Sequence, residues 1–168
     1  HAFNNNHLIA ILFMKKMRYK ALGWALNLWS VFDLKGAGRA AFRIFSRTPK
    51  PVLREKETAF LETARKTNSS AAGYRITEYH WGPEDGPVIL LSYGWGYNAG
   101  RWRHFVPALE NAGFHVIAYD PPGHGLNTET HFLHLPANSR IQEALMLRYG
   151  PVFGVLGHSF GGVSAVVA

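Results

Sequence analysis

The sequence predicts an α/β fold over residues 71–168, in which helices cover both faces of a mainly parallel sheet. Three apolar runs predict the buried strands of this sheet: Val88 to Leu91, Phe114 to Tyr119 and Val152 to Leu156. Continuous apolar runs of this length are typical of strands buried on both faces. Stretches with helical periodicity separate the runs, and this alternation of strand and helix favours a parallel arrangement.

The positive charge of the chain is confined to its first part. The chain carries 18 Lys and Arg against 11 Asp and Glu, and such an excess by itself points to nucleic acid or an anionic membrane surface. Residues 1–66 hold 13 of the basic and 4 of the acidic side chains, whereas residues 67–168 hold 5 and 7. The sequence therefore predicts no nucleic-acid partner for the folded domain.

The lack of cysteine excludes a disulfide framework and a thiol nucleophile.

Residues 1–70 are predicted to form a helical, basic arm and a linker. Basic residues from Lys15 to Lys20 precede an apolar stretch from Ala21 to Phe32, which is the order found in signal peptides and membrane anchors. A narrow polar stripe interrupts the apolar face at helical spacing and comprises Lys16, Lys20, Gly23, Asn27 and Ser30. Three interpretations stay open: a helix packed on the body of the protein or on chain outside this sequence, which is favoured, a helix lying in a membrane interface, or a cleaved signal. Because the chain begins with His1 and not with Met, we expect a processed piece, a fragment or a reading frame extended upstream of a start at Met14.

Between the arm and the first apolar run, the sequence predicts further helix and the linker. Arg39, Arg43 and Arg47 recur at helical spacing, and Arg54 to Lys66 has the composition of a surface helix. Ser and Ala are frequent in residues 67–73, which predicts a linker with a domain boundary near residue 70.

The remaining elements follow in order. A strand from Tyr74 to Trp81 ends in an Asp-Gly turn, so we expect it to lie beside the strand that begins at Val88. Two helices, Arg101 to Ala112 and Ala137 to Tyr149, are each closed by a glycine. A further helix begins after the third apolar run.

The sharpest local signal is a Gly-x-Ser-x-Gly sequence between the third apolar run and this last helix. It comprises Gly157, His158, Ser159, Phe160 and Gly161, and Gly162 follows. Strand and helix backbones approach each other at such a turn, so the residues two positions from the serine must lack side chains. A serine at the head of the helix can attack a carbonyl with the help of a backbone N–H and of the helix dipole. Ser159 is therefore the predicted nucleophile, and the Phe160 N–H is one predicted oxyanion donor.

Two glycine-rich loops follow the first two apolar runs. The first surrounds Trp95, whose backbone N–H is the predicted second oxyanion donor. The second begins at Asp120, which we expect to fix its loop by accepting backbone N–H bonds rather than to act in catalysis. The residues predicted to shape the two loops are Gly94, Asp120, Gly123 and Gly125.

In this order and spacing, the three segments resemble the N-terminal half of the α/β-hydrolase family, especially its single-domain esterase-like members. The resemblance covers about residues 74–168. It implies an esterase- or lipase-like serine hydrolase that cleaves carboxylic esters or related acyl bonds of a small substrate through an acyl-enzyme, without a cofactor. One departure is Tyr93, which stands where the family usually has His before the glycine of the oxyanion loop.

The resemblance also implies an acid and a histidine base later in the chain than the nucleophile. Nine residues follow Ser159, and none is Asp, Glu or His. We therefore expect the acid and the base to lie beyond Ala168, and residues 1–168 alone to be close to inactive. No metal site is predicted, because no third ligand is placed to complete a site with His131 and His134.

Two alternatives from other classes stay open. A Rossmann-type dinucleotide site would use the glycines Gly94, Gly96 and Gly100, with Asp120 as the acid for the ribose. A non-catalytic, truncated scaffold is the other. The sequence also leads us to expect a cytoplasmic protein. In this protein, residues 14–47 of the basic arm would contact a membrane peripherally.

Overall fold

The computed structural model of the protein describes residues 5–49, 51–127, 129 and 132–168. It divides into two compact units, His1–Phe45 and Ser46–Ala168. In the first unit, α1 (Asn5–Phe32) and α2 (Leu34–Phe45) pack against each other as a helical hairpin. Asp33 separates the two helices, because its carboxylate accepts the Gly36 N–H at 2.8 Å and so caps the start of α2. Within the described residues, no helix combines the length and the apolar character that crossing a membrane requires.

The second unit holds a five-stranded sheet and the helices around it. Its elements are α3 (Glu55–Glu62), β1 (Arg65–Ala71), β2 (Tyr74–Trp81), β3 (Val88–Ser92), a 3-10 helix (Ala99–His104), α4 (Val106–Asn111), β4 (His115–Asp120), α5 (Leu135–Tyr149), β5 (Gly154–Gly157) and α6 (Phe160–Val167). The strand order is β1-β2-β4-β3-β5. β3 pairs in parallel with β4 and β5, while β1 and β2 add two antiparallel pairings at one edge. The predicted α/β class is confirmed, with a parallel centre in a mixed sheet.

Apolar side chains on both faces of β3 and β4 form the core, as their continuous apolar runs predict. One face packs under α3 and the 3-10 helix, and its core includes Leu61, Tyr79, Trp81, Leu91, Trp102 and Val106. The other face packs under α5, and its core includes Ile76, Leu90, Ile117, Tyr119, Ile141 and Leu145. The parallel strands therefore present their carboxyl ends, and the loops that follow them, along one edge of the sheet.

The segment predicted to be a linker is a strand, so that prediction is wrong. β1 pairs along its whole length with β2, from Arg65 opposite His80 to Ala71 opposite Tyr74. Most of its residues are exposed or half-buried, because it is the edge strand, and its polar composition therefore resembles that of a linker. The boundary expected near residue 70 falls inside this strand pair, whereas the compact units divide after Phe45.

Three further elements differ from the prediction. β2 and β3 are joined by a short connection, but they are not neighbours, because β4 pairs with both. The helix predicted over residues 101–112 is broken at Phe105 into a 3-10 turn and α4, with Pro107 near the start of α4, where a missing N–H is tolerated. α2 and α3 also end earlier than the helical patterns predict. α3 ends at Glu62 and not at Lys66, and Arg47 lies beyond the end of α2, in an isolated bridge with Phe132.

A cluster of buried ionisable side chains lies where β2 pairs with the start of β4. Nδ1 of His80 is 3.2 Å from Nε2 of His115. Glu78 accepts hydrogen bonds from the Tyr149 hydroxyl at 2.7 Å and from Arg148 at 2.8 Å. Burial, helped by the nearby positive charge of Arg65, lowers the pKa of His80 to about 4. His80 is therefore neutral in the folded protein at pH values where an exposed histidine takes up a proton.

We expect His80 to make the free energy of unfolding fall as the pH drops from 6.5 to about 4. In this interval the unfolded chain binds a proton at His80 that the folded chain does not bind, so protons favour the unfolded state. Urea titrations at neutral pH and at about pH 4.5 should show the protein losing about 2 kcal/mol more than a His80→Gln variant loses.

The variant is needed as a reference because Asp120 also titrates in this pH range. Burial raises the pKa of Asp120 to about 6, so its protonation stabilises the folded state as the pH drops, which is opposite to the effect of His80. His104→Gln, which replaces an exposed histidine, is the matched control. Equal losses in the protein and in the His80→Gln variant would show that His80 does not cause the acid sensitivity.

Candidate active site

Ser159 lies at a sharp turn between β5 and α6. Its backbone has a φ of 50° and a ψ of −117°. For a residue other than glycine, this conformation costs about 1–3 kcal/mol of free energy. Two backbone hydrogen bonds hold the turn. The His158 N–H donates to the Ser92 carbonyl at 2.9 Å, and the Gly161 N–H donates to the His158 carbonyl at 3.0 Å. Ser159 is exposed, so its hydroxyl is accessible at the edge of the sheet where the parallel strands end.

Glycine is required on both sides of the serine because two backbones touch there. A Cβ on Gly157 would lie 2.6 Å from the Gly162 nitrogen, and a Cβ on Gly161 would lie 2.5 Å from the Ser92 carbonyl carbon. Backbone atoms cannot retreat from such contacts without moving a strand or a helix. The contact at Gly162 is less severe, since its Cβ would lie 3.2 Å from the Gly157 carbonyl oxygen.

The loop that follows β3 lies directly beside the serine. A Cβ on Gly94 would be 3.5 Å from the Cβ of Ser159. The rings of Trp95 and Phe160 pack edge to face, with centroids 4.9 Å apart. As the first residue of α6, Phe160 has a backbone N–H that no carbonyl of the helix accepts. The two residues predicted to supply oxyanion donors are therefore neighbours.

Tyr93, which departs from the family pattern, packs against the histidine of the turn. The Tyr93 and His158 rings are stacked, with centroids 4.5 Å apart and an angle of 15° between their planes. Tyr93 also packs edge to face against Trp102, at 5.2 Å. Tyr93 thus supports the turn from the side of the oxyanion loop. Within the part of the chain that the structure describes, no histidine forms a hydrogen bond with the Ser159 hydroxyl.

His124 connects the two glycine-rich loops. Its Nε2 accepts the Gly96 N–H at 3.0 Å, and its Nδ1 lies 3.0 Å from the Pro122 carbonyl oxygen. The Gly96 N–H can only donate and the carbonyl can only accept, so the neutral tautomer with its proton on Nδ1 satisfies both. Burial lowers the pKa of His124 and favours this neutral form. A second proton, on Nε2, would place two donors against each other and break the connection.

Asp120 is buried beneath the second loop and accepts three hydrogen bonds. The donors are the N–H of Ala99 at 2.7 Å, the hydroxyl of Tyr79 at 2.9 Å and the N–H of Leu126 at 3.2 Å. Gly125 has a φ of +51°, and a Cβ there would collide with the Asp120 carboxylate. Burial raises the pKa of Asp120 to about 6, although these hydrogen bonds lower it. Gly123 also has a positive φ, of 71°, so the loop requires both of its glycines.

The same contacts argue against a dinucleotide site. Asp120 is only 1% exposed, and its carboxylate already accepts three donors within the protein. The Gly96 N–H is held by His124, and Gly100 packs against the backbone of Glu57 in α3. A ribose would find no free carboxylate here, and a pyrophosphate would find no open glycine backbone.

The sequence reasoning missed a buried hydrogen-bond network beneath the turn. The Tyr119 hydroxyl lies 3.0 Å from Ser92 Oγ and donates to Asn138 Oδ1 at 2.9 Å. Gln142 donates to Ser92 Oγ at 2.8 Å and to the Gly161 carbonyl at 3.1 Å. Burial raises the pKa of Tyr119 to about 12, so its hydroxyl stays protonated and remains a donor. The network joins β3, β4 and α5 to the first turn of α6.

A sequence signal for this network existed. Asn138 and Gln142 are four residues apart in a predicted helix and therefore share a face. Ser164 is a polar residue in the otherwise apolar helix α6, and it accepts a hydrogen bond from Asn138 at 2.9 Å. Which face of α5 meets the sheet depends on tertiary packing, so the pattern alone did not reveal a shared site.

Of the two histidines considered for a metal site, only His134 lies within the described residues. His134 caps the start of α5, where its Nδ1 accepts the Ala137 N–H at 3.1 Å. His131 lies outside the described residues.

Comparison with known proteins points to one fold family. A family model described as the alpha/beta hydrolase fold matches residues 87–168. The bifunctional esterase/perhydrolase DCH of Acinetobacter calcoaceticus is 34% identical over 92 residues, which are 54% of this chain and 33% of that protein. Epoxide hydrolase A of Mycobacterium tuberculosis is 38% identical over 63 residues, which are 38% of this chain and 19% of that protein. The chain spans a third or less of the length of these curated relatives.

Solved structures show the same fold. Epoxide hydrolase A from Mycobacterium thermoresistibile superimposes with a TM-score of 0.52 and 25% identity, over 61% of this chain and 33% of that one. The proline iminopeptidase-related protein from Thermus thermophilus superimposes with a TM-score of 0.52 and 26% identity, over 62% of this chain and 39% of that one. The fold is therefore similar to that of an epoxide hydrolase and of a proline iminopeptidase-related protein.

The contact between β5 and α6 predicts a strong difference between two glycines of one strand. Gly157→Ala should lower the free energy of unfolding by about 3 kcal/mol, because the added methyl group meets the backbone of Gly162. Gly154→Ala is the matched control, since a Cβ there meets nothing within 4 Å, and its effect should stay within about 0.5 kcal/mol. Urea denaturation measures both. Similar effects of the two substitutions would contradict the close contact.

Proposed function

We propose that the protein is a serine hydrolase acting on carboxylic esters or related acyl bonds, and the match of residues 87–168 to the alpha/beta hydrolase fold supports this proposal. The observation that carries the proposal is the conformation of Ser159. A strained residue with positive φ is retained here, its side chain is exposed, and the first N–H of a helix is beside it. An ordinary strand-to-helix connection needs none of these features.

In the proposed reaction, Ser159 Oγ attacks the carbonyl carbon of the ester while its proton passes to a general base. The carbonyl oxygen becomes an oxyanion that accepts hydrogen bonds from the backbone N–H groups of Phe160 and Trp95, and the positive end of the α6 dipole adds to this stabilisation. Collapse of the intermediate breaks the bond to the alcohol, which leaves with the proton held by the base. Water then attacks the acyl-serine by the same route and releases the carboxylic acid.

The base and its acidic partner are proposed to follow residue 168, as in the order Ser, Asp or Glu, His that the family resemblance implies. The described residues supply the other parts. Ser159 is the nucleophile, the loop after β3 and the start of α6 supply the donors, and the buried network beneath Gly161 positions the turn.

The relatives include an esterase/perhydrolase and epoxide hydrolases, and the serine favours an acyl substrate over an epoxide. A serine oxygen that opened an epoxide would form an ether, which water does not cleave under mild conditions. A serine oxygen that attacks an acyl group forms an ester, which a base-activated water can hydrolyse. Turnover with Ser159 as the nucleophile therefore requires an acyl donor.

In the full-length protein, Ser159→Ala should lower kcat for p-nitrophenyl ester hydrolysis by at least about a thousandfold, because the acyl-enzyme cannot form. A series of esters with increasing acyl length, followed by absorbance, measures the loss. Ser70→Ala removes an exposed serine hydroxyl from β1 and is the matched control, with kcat unchanged. Esterase activity that survives in the Ser159→Ala variant would exclude this serine as the nucleophile.

His124 should act as a positioning residue for the oxyanion loop. His124→Leu removes the acceptor of the Gly96 N–H and should lower kcat about tenfold with little change in KM, because donors to the oxyanion matter most in the transition state. His124→Gln keeps an acceptor that does not titrate and should retain most of kcat.

The pH profile separates this role from a merely structural one. Protonation of His124 removes the acceptor, so part of the loss of kcat at acidic pH should disappear in the His124→Gln variant. If the Leu and Gln variants have equal kcat values and the same pH profile as the unaltered protein, His124 does not position the loop.

A further inference from the structure

We propose that the helical hairpin of residues 5–45 docks on the surface of an anionic phospholipid bilayer. This proposal is independent of the proposed hydrolase activity. It rests on three observations: where the large apolar side chains of α1 lie, how basic residues are distributed over the hairpin, and which residues line a groove between the two helices.

A row of large apolar side chains runs along the outside of α1. Met17, Trp24, Leu28 and Val31 are 52%, 77%, 66% and 76% exposed. Together with the small, exposed Ala21, they follow one another at intervals of three or four residues, so they lie on one face of the helix. We name this row of four side chains the apolar stripe. Contiguous apolar surface of this kind is uncommon on a soluble protein and marks a contact with another apolar phase.

The opposite face of α1 carries the less exposed residues. Leu22, Gly23, Leu26 and Ser30 are half-buried there, and the neighbouring helix α2 buries its small residue Ala37. The hairpin therefore packs partly through small residues and leaves its largest apolar side chains outside. This is the reverse of the arrangement in a water-soluble helical pair, where the largest apolar residues are enclosed.

The hairpin is strongly basic. Residues 1–45 contain seven Lys and Arg and a single acidic residue, Asp33. In α2, Lys35, Arg39 and Arg43 recur every four residues and are exposed, so they form one cationic face. Exposed basic residues beside exposed tryptophan and aliphatic side chains are the composition of helices that lie in the headgroup layer of anionic membranes.

A groove of about 400 Å³ lies between the end of α1 and α2. Its lining residues include Arg39, Arg43, Trp29 and Ile44, together with Asp33, whose carboxylate accepts the Gly36 N–H. Two guanidinium groups suit a phosphate, and an indole suits the boundary between headgroups and acyl chains. The groove therefore has the chemistry to receive a phospholipid headgroup.

The charge favours a bilayer over a second copy of the chain. Two hairpins that met through their apolar stripes would bring their basic residues together without acidic partners, which opposes association. An anionic bilayer complements the same charges and accepts the apolar stripe at the same time. Since no helix in the described residues could cross a membrane, the expected mode is binding in the plane of the interface.

Sedimentation of the whole chain with vesicles tests this proposal. The chain should bind vesicles of phosphatidylcholine mixed with phosphatidylglycerol, bind pure phosphatidylcholine much more weakly, and be released by high salt. Leu28→Glu should weaken binding at least about tenfold, because it places a charge in the apolar stripe. The matched control is Leu147→Glu, at an 81% exposed leucine of α5, and it should bind as the unaltered chain does.

A second variant tests the charge separately. Arg39→Gln combined with Arg43→Gln should weaken binding by about twentyfold, whereas Arg140→Gln, at an exposed arginine of α5, should have little effect. Circular dichroism of each variant checks that the helices remain.

Three results would overturn the proposal: no binding of the unaltered chain to anionic vesicles, equal binding by Leu28→Glu and Leu147→Glu, or self-association in solution that Leu28→Glu abolishes. The last result would identify a second copy as the occupant of the apolar stripe. None of these measurements depends on catalysis, so their failure is distinguishable from failure of the hydrolase proposal.

Discussion

The close contact between the backbones of β5 and α6 is the constraint on which the candidate site depends. The backbone leaves no space for a Cβ atom at Gly157, beside Gly162, or at Gly161, beside the Ser92 carbonyl at the end of β3. Between these contacts the chain has room to turn only if the intervening residue takes a positive φ, and that residue is Ser159. The strain, the exposure of the serine and the position of the first N–H of α6 beside it all follow from this contact.

The surroundings of the turn explain how the strain is tolerated. The buried network of Ser92, Tyr119, Asn138 and Gln142 ties two strands and α5 to the carbonyl of Gly161. Because every member is buried, leaving one of these polar groups without its partner would cost free energy. On the other side of the turn, His124 and Asp120 hold the two glycine-rich loops in place. The supports of the turn are therefore buried and hydrogen-bonded, although the serine itself is exposed.

The features that could be predicted from the sequence, the turn at Ser159 and the buried strands, depend on residues close together in the chain. The glycines near Ser159 are close in the chain, and the apolar runs of β3, β4 and β5 mark strands without knowledge of their neighbours. The sequence could not predict that β4 lies between β2 and β3, because residues far apart in the chain determine this order. It also missed β1, whose polar composition suits both an edge strand and a linker. The network beneath the turn depends on which face of α5 meets the sheet, and only the folded structure shows this.

In the proposed mechanism, the Ser159 hydroxyl is a nucleophile with two backbone N–H donors beside it. The most direct test is a crystal structure of the full-length protein after reaction with a phosphonate ester that mimics the tetrahedral intermediate. We expect phosphorus bonded to Ser159 Oγ, with its unesterified oxygen within hydrogen-bond distance of the Phe160 and Trp95 nitrogens. An unmodified Ser159, or an adduct whose oxygen points away from both nitrogens, would contradict the proposed mechanism.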